Sequence, residues 1–319
     1  MRGVYGLSVK RFGMAVALFA AGNAFAQESG TAPVAVTSPF VNSYAPATGD
    51  LPLAIGLGEL HLAAQLTPDG AEIGRGLVWR VFRPQPGPDG TLPLVAQAQG
   101  GTNVFQLEPG SYLVHASFGR AGATKRITVG SDAKKENIVL DAGGLKLNAV
   151  LAGGARIKPA LLKFNVFEAK ADAKGQGALI ALDVGPNTVV RLNSGNYQIV
   201  SYYGGVNAVT RSDIKVEAGK LVEATIEHHA AELTIKLVRE AGGEAMADTS
   251  WSIVSDSGDP VREVVGAYAS MVLAEGEYTI IAKNRDKLYQ RDFKVESGKS
   301  QEVEVLASEA AADHADEAD

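Results

Sequence analysis

Gly110-Ser-Tyr-Leu-Val114 is the first of three similar pentapeptides, and the others are Gly195-Asn-Tyr-Gln-Ile199 and Gly276-Glu-Tyr-Thr-Ile280. Their tyrosines stand 85 and 81 residues apart, and a leucine precedes each glycine by three positions. Self-similarity at a fixed period of this kind is typical of tandem structural repeats. The chain of 319 residues is also too long for one small sandwich and suits two or three domains. We therefore predict three repeats.

Short alternating segments surround each pentapeptide in the same order, and long helical patterns are missing. A period of two predicts strands, and short strands broken by Gly, Pro and Asp are typical of sandwiches. The opening segments are Leu60-His61-Leu62, Leu145-Lys146-Leu147 and Leu233-Thr234-Ile235. The aromatic segments, 18 or 19 residues later, begin at Trp79, Phe164 and Trp251. The later segments are Ile127–Val129, Ile214–Val216 and Phe293–Val295, and finally Ile138–Leu140, Leu221–Ile226 and Val303–Val305.

The fold prediction is an all-β chain of three tandem immunoglobulin-like sandwiches of the transthyretin (prealbumin-like) type. Glycine takes positive φ at little cost, so it starts the next strand in register. The tyrosine two residues later is expected to bury its ring and bond backbone with its hydroxyl, as in a tyrosine corner. The Trp or Phe of the aromatic segment is expected to pack opposite it. The predicted domains are 57–142, 143–229 and 230–307.

The sequence outside these domains predicts three further segments. Residues 1–26 read as a cleaved signal peptide, with a basic start, an apolar run over 14–21 and a small-x-small site ending at Ala26. Residues 27–56 form a Pro-rich linker. Residues 308–319 form an acidic, disordered tail, whose alternative role is partner binding.

The three pentapeptides resemble the Pro-Gly-x-Tyr-x-Val/Ile element of carboxypeptidase-regulatory-like and collagen-adhesin B-type sandwiches. Only Pro109-Gly110 keeps the proline. The resemblance implies a fold and no activity. Such repeats are also similar to accessory β-domains of envelope von Willebrand A-type proteins, whose Asp-x-Ser-x-Ser motif this chain lacks. Adhesin B-type repeats carry Lys–Asn isopeptide bonds, but Lys146 and Lys236 have no lysine counterpart at His61, which argues against one here.

Composition limits the compartment and the partners. The chain has no cysteine, which excludes thiol catalysis, zinc–cysteine sites and iron–sulfur clusters. Its formal net charge of −6 becomes −9 once the three cations of residues 1–26 are removed. An acidic protein has no general attraction to nucleic acid or anionic lipid. We expect a periplasmic or extracellular protein with no membrane span after signal cleavage.

A search for chemistry finds little, and we predict no catalytic, cofactor-binding or metal-binding residues. His228-His229 is the one histidine pair, and strand neighbours point to opposite faces, so we interpret it as a junction between repeats. A metal at His61 and His115, or calcium at the turn Asp256–Asp259, lacks further ligands. Gly298-Lys299-Ser300 lacks the upstream glycine and the helix of a phosphate-binding loop. Paired carboxylates that meet only in three dimensions remain open.

The sequence therefore favours a non-catalytic scaffold of the bacterial envelope that binds another protein through exposed strand edges or loops. A carbohydrate- or peptidoglycan-binding module is the alternative, with Tyr202-Tyr203 and Tyr268 as stacking surfaces. No cofactor is expected. An enzyme is disfavoured, because no nucleophile with a nearby base is evident.

Overall fold

The computed structural model describes residues 56–169 and 177–308, and these form three successive β-sandwiches. Each sandwich has seven strands, named a to g in chain order. Repeat 1 contains β1 Gly58–Gln65, β2 Leu77–Phe82, β3 Leu94–Gly100, β4 Asn103–Leu107, β5 Gly110–Phe118, β6 Ala121–Val129 and β7 Lys134–Val139. Repeat 2 contains β8 Ala142–Leu151, β9 Leu162–Glu168, β10 Leu179–Val184, β11 Val189–Asn193, β12 Gly195–Tyr203, β13 Val209–Val216 and β14 Leu221–His228. Repeat 3 contains β15 Ala230–Val238, β16 Thr249–Ser255, β17 Pro260–Val265, β18 Tyr268–Ala274, β19 Gly276–Asn284, β20 Lys287–Val295 and β21 Gln301–Leu306.

The three repeats share one topology. One sheet has the strand order d-a-g, and the other has the order c-b-e-f. Strands a and g run parallel, and all other pairs are antiparallel. Strands c and d are therefore edge strands on one lateral side of each sandwich, and f and g are edge strands on the other. We call these the c/d side and the f/g side.

Alternation along the strands explains the sandwich. In β1, Leu60 and Leu62 are buried while His61 between them is partly exposed. Successive side chains of a strand point to opposite faces, so this pattern places one face of the sheet on the core. Each repeat has its own core cluster of buried apolar side chains. The predicted all-β sandwich fold is confirmed.

The six aromatic residues predicted for the core lie there. Trp79, Phe164 and Trp251 are no more than 2% exposed, and Tyr112, Tyr197 and Tyr278 no more than 7%. The three tyrosine hydroxyls donate to the backbone carbonyl four residues earlier, namely Glu108 (2.8 Å), Asn193 (2.8 Å) and Ala274 (3.0 Å). The tyrosine corner is therefore present in every repeat.

The glycine of the pentapeptide behaves differently among the repeats. Gly195 and Gly276 have φ of 156° and 159°, as expected. Gly110, which follows Pro109, is not in the positive-φ region, so the expectation is wrong there.

The sequence segments match strands a, b, e, f and g of each repeat, whereas strands c and d were missed or reduced to one leucine. The Pro- and Gly-rich stretch Pro84–Gly90 predicts a loop rather than a strand, and in the structure it lies between β2 and β3. The sequence also predicts an equivalent loop of repeat 2 at 170–177, which lies outside the described residues except for Gly177. Asp256–Asp259 forms the predicted turn, in which Gly258 N–H donates to Ser255 O at 2.9 Å.

The proposed domain limits remain predictions, although β8 begins at Ala142 and β15 at Ala230. The signal peptide, almost all of the linker and the tail beyond Ser308 lie outside the described residues. Within the described ranges, no helix combines the length and apolarity needed to cross a bilayer.

Candidate functional site

An asparagine side chain joins repeats 1 and 2. Asn193, at the end of β11, accepts from Gly122 N–H at 3.2 Å through Oδ1. Its Nδ2 donates to the carbonyls of Gly122 (3.2 Å) and Leu140 (2.7 Å). The backbone adds a bond from Arg120 N–H to Arg191 O at 3.0 Å. The e–f hairpin of repeat 1 is thereby fixed to strand d of repeat 2.

The junction of repeats 2 and 3 also joins an e–f hairpin to strand d of the next repeat. Here the asparagine belongs to the e–f loop of the preceding repeat instead of strand d of the following one. Asn207 lies in the e–f loop of repeat 2, and its Oδ1 accepts from Ala274 N–H at 2.9 Å. Its Nδ2 donates to the hydroxyl of Tyr278 at 2.8 Å. Ala274 and Asn193 are equivalent, because each stands four residues before its repeat's motif tyrosine.

A cavity lies at each junction, on the c/d side of the following repeat. The one between repeats 2 and 3 has a volume of about 600 Å³, and the one between repeats 1 and 2 about 440 Å³. Both are bounded by the preceding repeat's e–f hairpin and by strands c and d of the next repeat. Both are open grooves in the surface.

A buried polar cluster lies inside repeat 2. Ser201 is 0% exposed and His228 is 1% exposed. Ser201 Oγ lies 2.7 Å from His228 Nε2, and Thr210 Oγ1 lies 3.3 Å from His228 Nδ1. The equivalent positions in repeat 1 are Ala116, Ala123 and Leu140, by strand register and spacing from the junction. Repeat 2 therefore has a polar trio where repeat 1 has an apolar one.

The surroundings keep this histidine neutral. Burial, and secondly the neighbouring His229, lower the pKa of His228 to about 4. Its ring meets that of Tyr203 edge-on, with centroids 5.9 Å apart. The hydroxyl of Tyr203 donates to Glu232 at 3.3 Å, and burial followed by this carboxylate raises the pKa of Tyr203 to about 12.

A serine beside a histidine is the first requirement of a hydrolytic nucleophile. Here the other ring nitrogen faces a threonine hydroxyl instead of a carboxylate. The serine has no exposed surface, so a substrate carbonyl cannot approach its oxygen in this structure. The cluster is a structural feature of the core.

The c/d side and the f/g side differ in their number of large exposed apolar side chains. Among the described residues, the large exposed apolar side chains on strands c and d number eight, against three on f and g. The eight are Leu94, Val95, Val104, Leu179, Leu182, Val189, Val265 and Tyr268. The three are Val209, Leu221 and Leu288. The apolar bias recurs in every repeat.

Charge shows the opposite distribution. Strands c and d together carry four charged residues, Asp183, Arg191, Arg262 and Glu263, and these cancel. Strands f and g carry sixteen Lys, Arg, Asp or Glu residues. Charged side chains on an edge strand protect it from pairing with another strand. The f/g side is protected in this way, and the c/d side is largely unprotected.

The histidines considered from sequence are separated. His61 on β1 and His115 on β5 belong to different sheets and alternate with buried neighbours, so they face outward on opposite sides of repeat 1. His61 Nε2 lies 2.6 Å from Glu59, and His115 Nδ1 lies 2.9 Å from Thr124 Oγ1. The hypothesis that they approach each other is wrong.

His228 is buried and His229 is exposed, which confirms that the pair points to opposite faces. In the described residues no cluster of three His, Asp or Glu is placed to hold a metal.

The lysines considered for isopeptide bonds face carboxylates. Lys146 Nζ lies 3.2 Å from Glu223. Lys236 Nζ lies 2.6 Å from Glu302 and 3.0 Å from Glu304, and these hydrogen bonds raise its pKa to about 12. Both are ion pairs between strands a and g.

The tyrosines considered as sugar-stacking surfaces are not together. Tyr203 is 2% exposed, so its expected stacking role is wrong. Tyr268 is 56% exposed on β18 in repeat 3.

The c/d side is not predicted from the sequence, because strands c and d lack the strong alternation of the core strands.

Comparison with known protein families finds a similarity over most of repeat 3. Residues 232–307 match the Rhizobiales growth-associated tandem repeat domain. No curated protein sequence matches the chain.

Several solved bacterial proteins, two of them pilins, match this chain in structure. The Bacillus anthracis TIE protein matches over 79% of this chain and 50% of its own, with 16% identity and a TM-score of 0.23. The minor pilin GBS52 of Streptococcus agalactiae matches over 54% of this chain and 95% of its own, with 16% identity and a TM-score of 0.32. A streptococcal ancillary pilin matches over 78% and 98%, with 12% identity and a TM-score of 0.30. This chain thus spans half the length of the TIE chain, and likeness at these TM-scores carries no functional information.

Proposed function

We propose that this protein is a non-catalytic, exported scaffold of the bacterial envelope, and that it binds another protein through the c/d sides of its repeats. The observation that carries the proposal is the recurrence of apolar, nearly uncharged edge strands on one side of all three sandwiches. Export is supported by the sequence of residues 1–26.

Edge strands supply both parts of a protein-binding site. Their unpaired backbone groups give hydrogen bonds to an added strand, and exposed side chains give pockets and apolar contact. The junction grooves extend this surface between repeats, with apolar residues such as Val206, Met271 and Val272 beside the cations Lys158 and Arg262. An extended protein segment fits these features better than a sugar ring, which needs exposed aromatic faces in a cluster.

Site-specific photo-crosslinking in the native cell tests the proposal. A photoreactive residue at Leu182 or Val265 on strand c is expected to give adducts of discrete mass. The matched control positions are Val209 and Leu288 on strand f, which are also exposed and apolar. Equal adducts from both sides, or none from strand c, would contradict the c/d side as the binding surface.

The proposal that the protein is non-catalytic has a separate test. Ser201→Ala removes the one hydroxyl that lies against a buried histidine ring nitrogen at 2.7 Å. We expect it to leave the crosslinking pattern unchanged. Loss of a hydrolytic activity in this variant, with the fold intact, would contradict the proposal.

A further inference from the structure

Among the three c strands, β3 of repeat 1 is the least protected. It spans Leu94–Gly100 and has no charged residue and no proline. Its one register irregularity falls beside Val95, so Ala96–Gly100 pair regularly with β2. Edge strands without charge, proline or bulges are open to pairing with another chain.

The corresponding strands of the other repeats each have a protective feature. β10 has two register shifts against β9, and its Asp183 has a positive φ of 53°. β17 begins at Pro260 and carries Arg262 and Glu263. Both features are known devices against edge pairing.

The uncharged d strand of repeat 3, β18, is partly covered by repeat 2. Asn207 bonds its last residue, Ala274. The backbone at Gly204 lies so close that a Cβ there would be 2.7 Å from Val272. Within residues 56–169 and 177–308, the one strand that pairs with β3 is β2.

We propose that β3 pairs antiparallel with β3 of a second copy of this chain, which joins two c-b-e-f sheets into one. This inference rests on the proposed function of the c/d side and names the partner for repeat 1. A two-fold axis places the central residue of the strand opposite its own copy and makes the strand its own partner, so a strand with charges of one sign would bring like charges close together. β3 meets this condition, because its outward residues Val95, Gln97 and Gln99 are neutral.

The seven-residue strand has its centre at Gln97, so an antiparallel pair centred there places Gln97 opposite its symmetry copy. Gln99 then lies opposite Val95 of the other chain. Opposed Cα atoms in such a pair are about 4.5–5.5 Å apart, which is within disulfide range. The chain has no native cysteine, so one introduced cysteine reports on one position.

The first test is the oligomeric state of the purified full chain, measured by sedimentation over a wide range of concentrations. We expect a concentration-dependent dimer that Leu94→Lys weakens by about tenfold or more, because the substitution enters twice. Leu288→Lys is the matched control, since both leucines are 50% exposed. A wild type that stays monomeric at every concentration, or equal weakening by both variants, would overturn the proposal.

The second test is crosslinking under mild oxidation. Gln97→Cys is expected to form a covalent dimer, whereas Gln99→Cys forms one only when mixed with Val95→Cys. Leu288→Cys is the control and should stay monomeric. Equal crosslinking of Gln99→Cys alone and Gln97→Cys would exclude the proposed register.

Other occupants of this edge give different results. If the wild type is monomeric and dimerises only after removal of residues 27–56, that segment covers β3 and self-pairing is wrong. If the wild type is monomeric and Leu94→Lys removes photo-adducts to a foreign protein, self-pairing is wrong while the proposed function stands. If neither dimers nor c/d adducts form, both proposals fail.

Discussion

Ser201 Oγ lies 2.7 Å from Nε2 of His228 inside repeat 2, whereas the equivalent residues of repeat 1, Ala116 and Leu140, belong to its apolar core. The serine–histidine contact makes repeat 2 the one repeat, in the described ranges, with a buried histidine in its core. A buried titratable group makes stability depend on pH, because its pKa differs between the folded and unfolded states.

The first prediction is that repeat 2 loses stability in acid. The pKa of His228 is lowered from 6.5 to about 4 in the folded protein, so folding favours the neutral ring. The stability that depends on a neutral His228 is fully present above pH 6.5, and it is lost progressively as the pH falls from 6.5 towards 4. The loss amounts to at most about 3 kcal/mol. Denaturant midpoints of repeat 2 measured across this range check it.

The control for acid sensitivity copies the core of repeat 1. In the triple variant Ser201→Ala, Thr210→Ala and His228→Leu, the polar trio becomes the apolar trio of repeat 1. This variant should fold and lose the histidine's part of the pH dependence. An unchanged slope between pH 6.5 and 4 would show that other groups are responsible.

The second prediction concerns the aromatic core. Trp251→Ala removes a 2% exposed ring and should lower the unfolding free energy of repeat 3 by about 3–5 kcal/mol. Tyr278→Phe keeps its ring and removes only the bonds of its hydroxyl, so about 1 kcal/mol is expected. Calorimetry of both variants gives the comparison. Similar losses of unfolding free energy in the two variants would contradict the claim that the aromatic rings stabilise the core mainly by packing.

The third prediction concerns the indole of repeat 1. Trp79 Nε1 donates to Gly101 O at 2.7 Å, in the turn between strands c and d, and Trp251 does the same to Gly266 at 2.8 Å. Trp79→Phe should therefore loosen this turn and increase hydrogen exchange of amides around Gly101. Exchange in the e–f hairpin at Gly119 serves as the internal reference. Faster exchange at both places would indicate general destabilisation instead.

The core of this fold was predictable from the sequence, and the surface that we propose for binding was not. Strands a, b and e alternate between buried and outward residues over much of their length because each sheet buries one face, so residues such as Leu60, Trp79 and Tyr112 give a clear signal. β3 has mostly exposed or half-exposed residues, and its neutral Leu-Val-Ala-Gln-Ala-Gln-Gly segment has little alternation. The unprotected edge becomes evident only when the topology places c and d on one side.

The contacts between repeats were also beyond the sequence. The sequence predicts a junction at His228-His229, and β15 begins directly after this pair, at Ala230. It does not indicate that the side chains of Asn193 and Asn207 form hydrogen bonds across the two junctions. These two stand at different positions in the repeat period, so no repeat-to-repeat comparison picks them out. Their common role follows from the e–f hairpin of one repeat meeting strand d of the next.

The last prediction is that these asparagines couple the repeats. Asn193→Ala removes three hydrogen bonds and leaves backbone groups of half-buried Gly122 and buried Leu140 short of partners, so we expect a loss of about 1–3 kcal/mol in coupling. We expect repeats 1 and 2 to unfold in one calorimetric transition in the wild type and in two separate transitions in the variant. Asn196→Ala, an exposed position in the same repeat, is the control and should leave the transitions together. Asn207 of repeat 2 joins repeats 2 and 3, so Asn207→Ala should instead make repeat 3 unfold in a separate transition. If Asn193→Ala lowered the stability of all three repeats equally, the asparagine would be supporting one cooperative unit, and the junction would not be a separable contact.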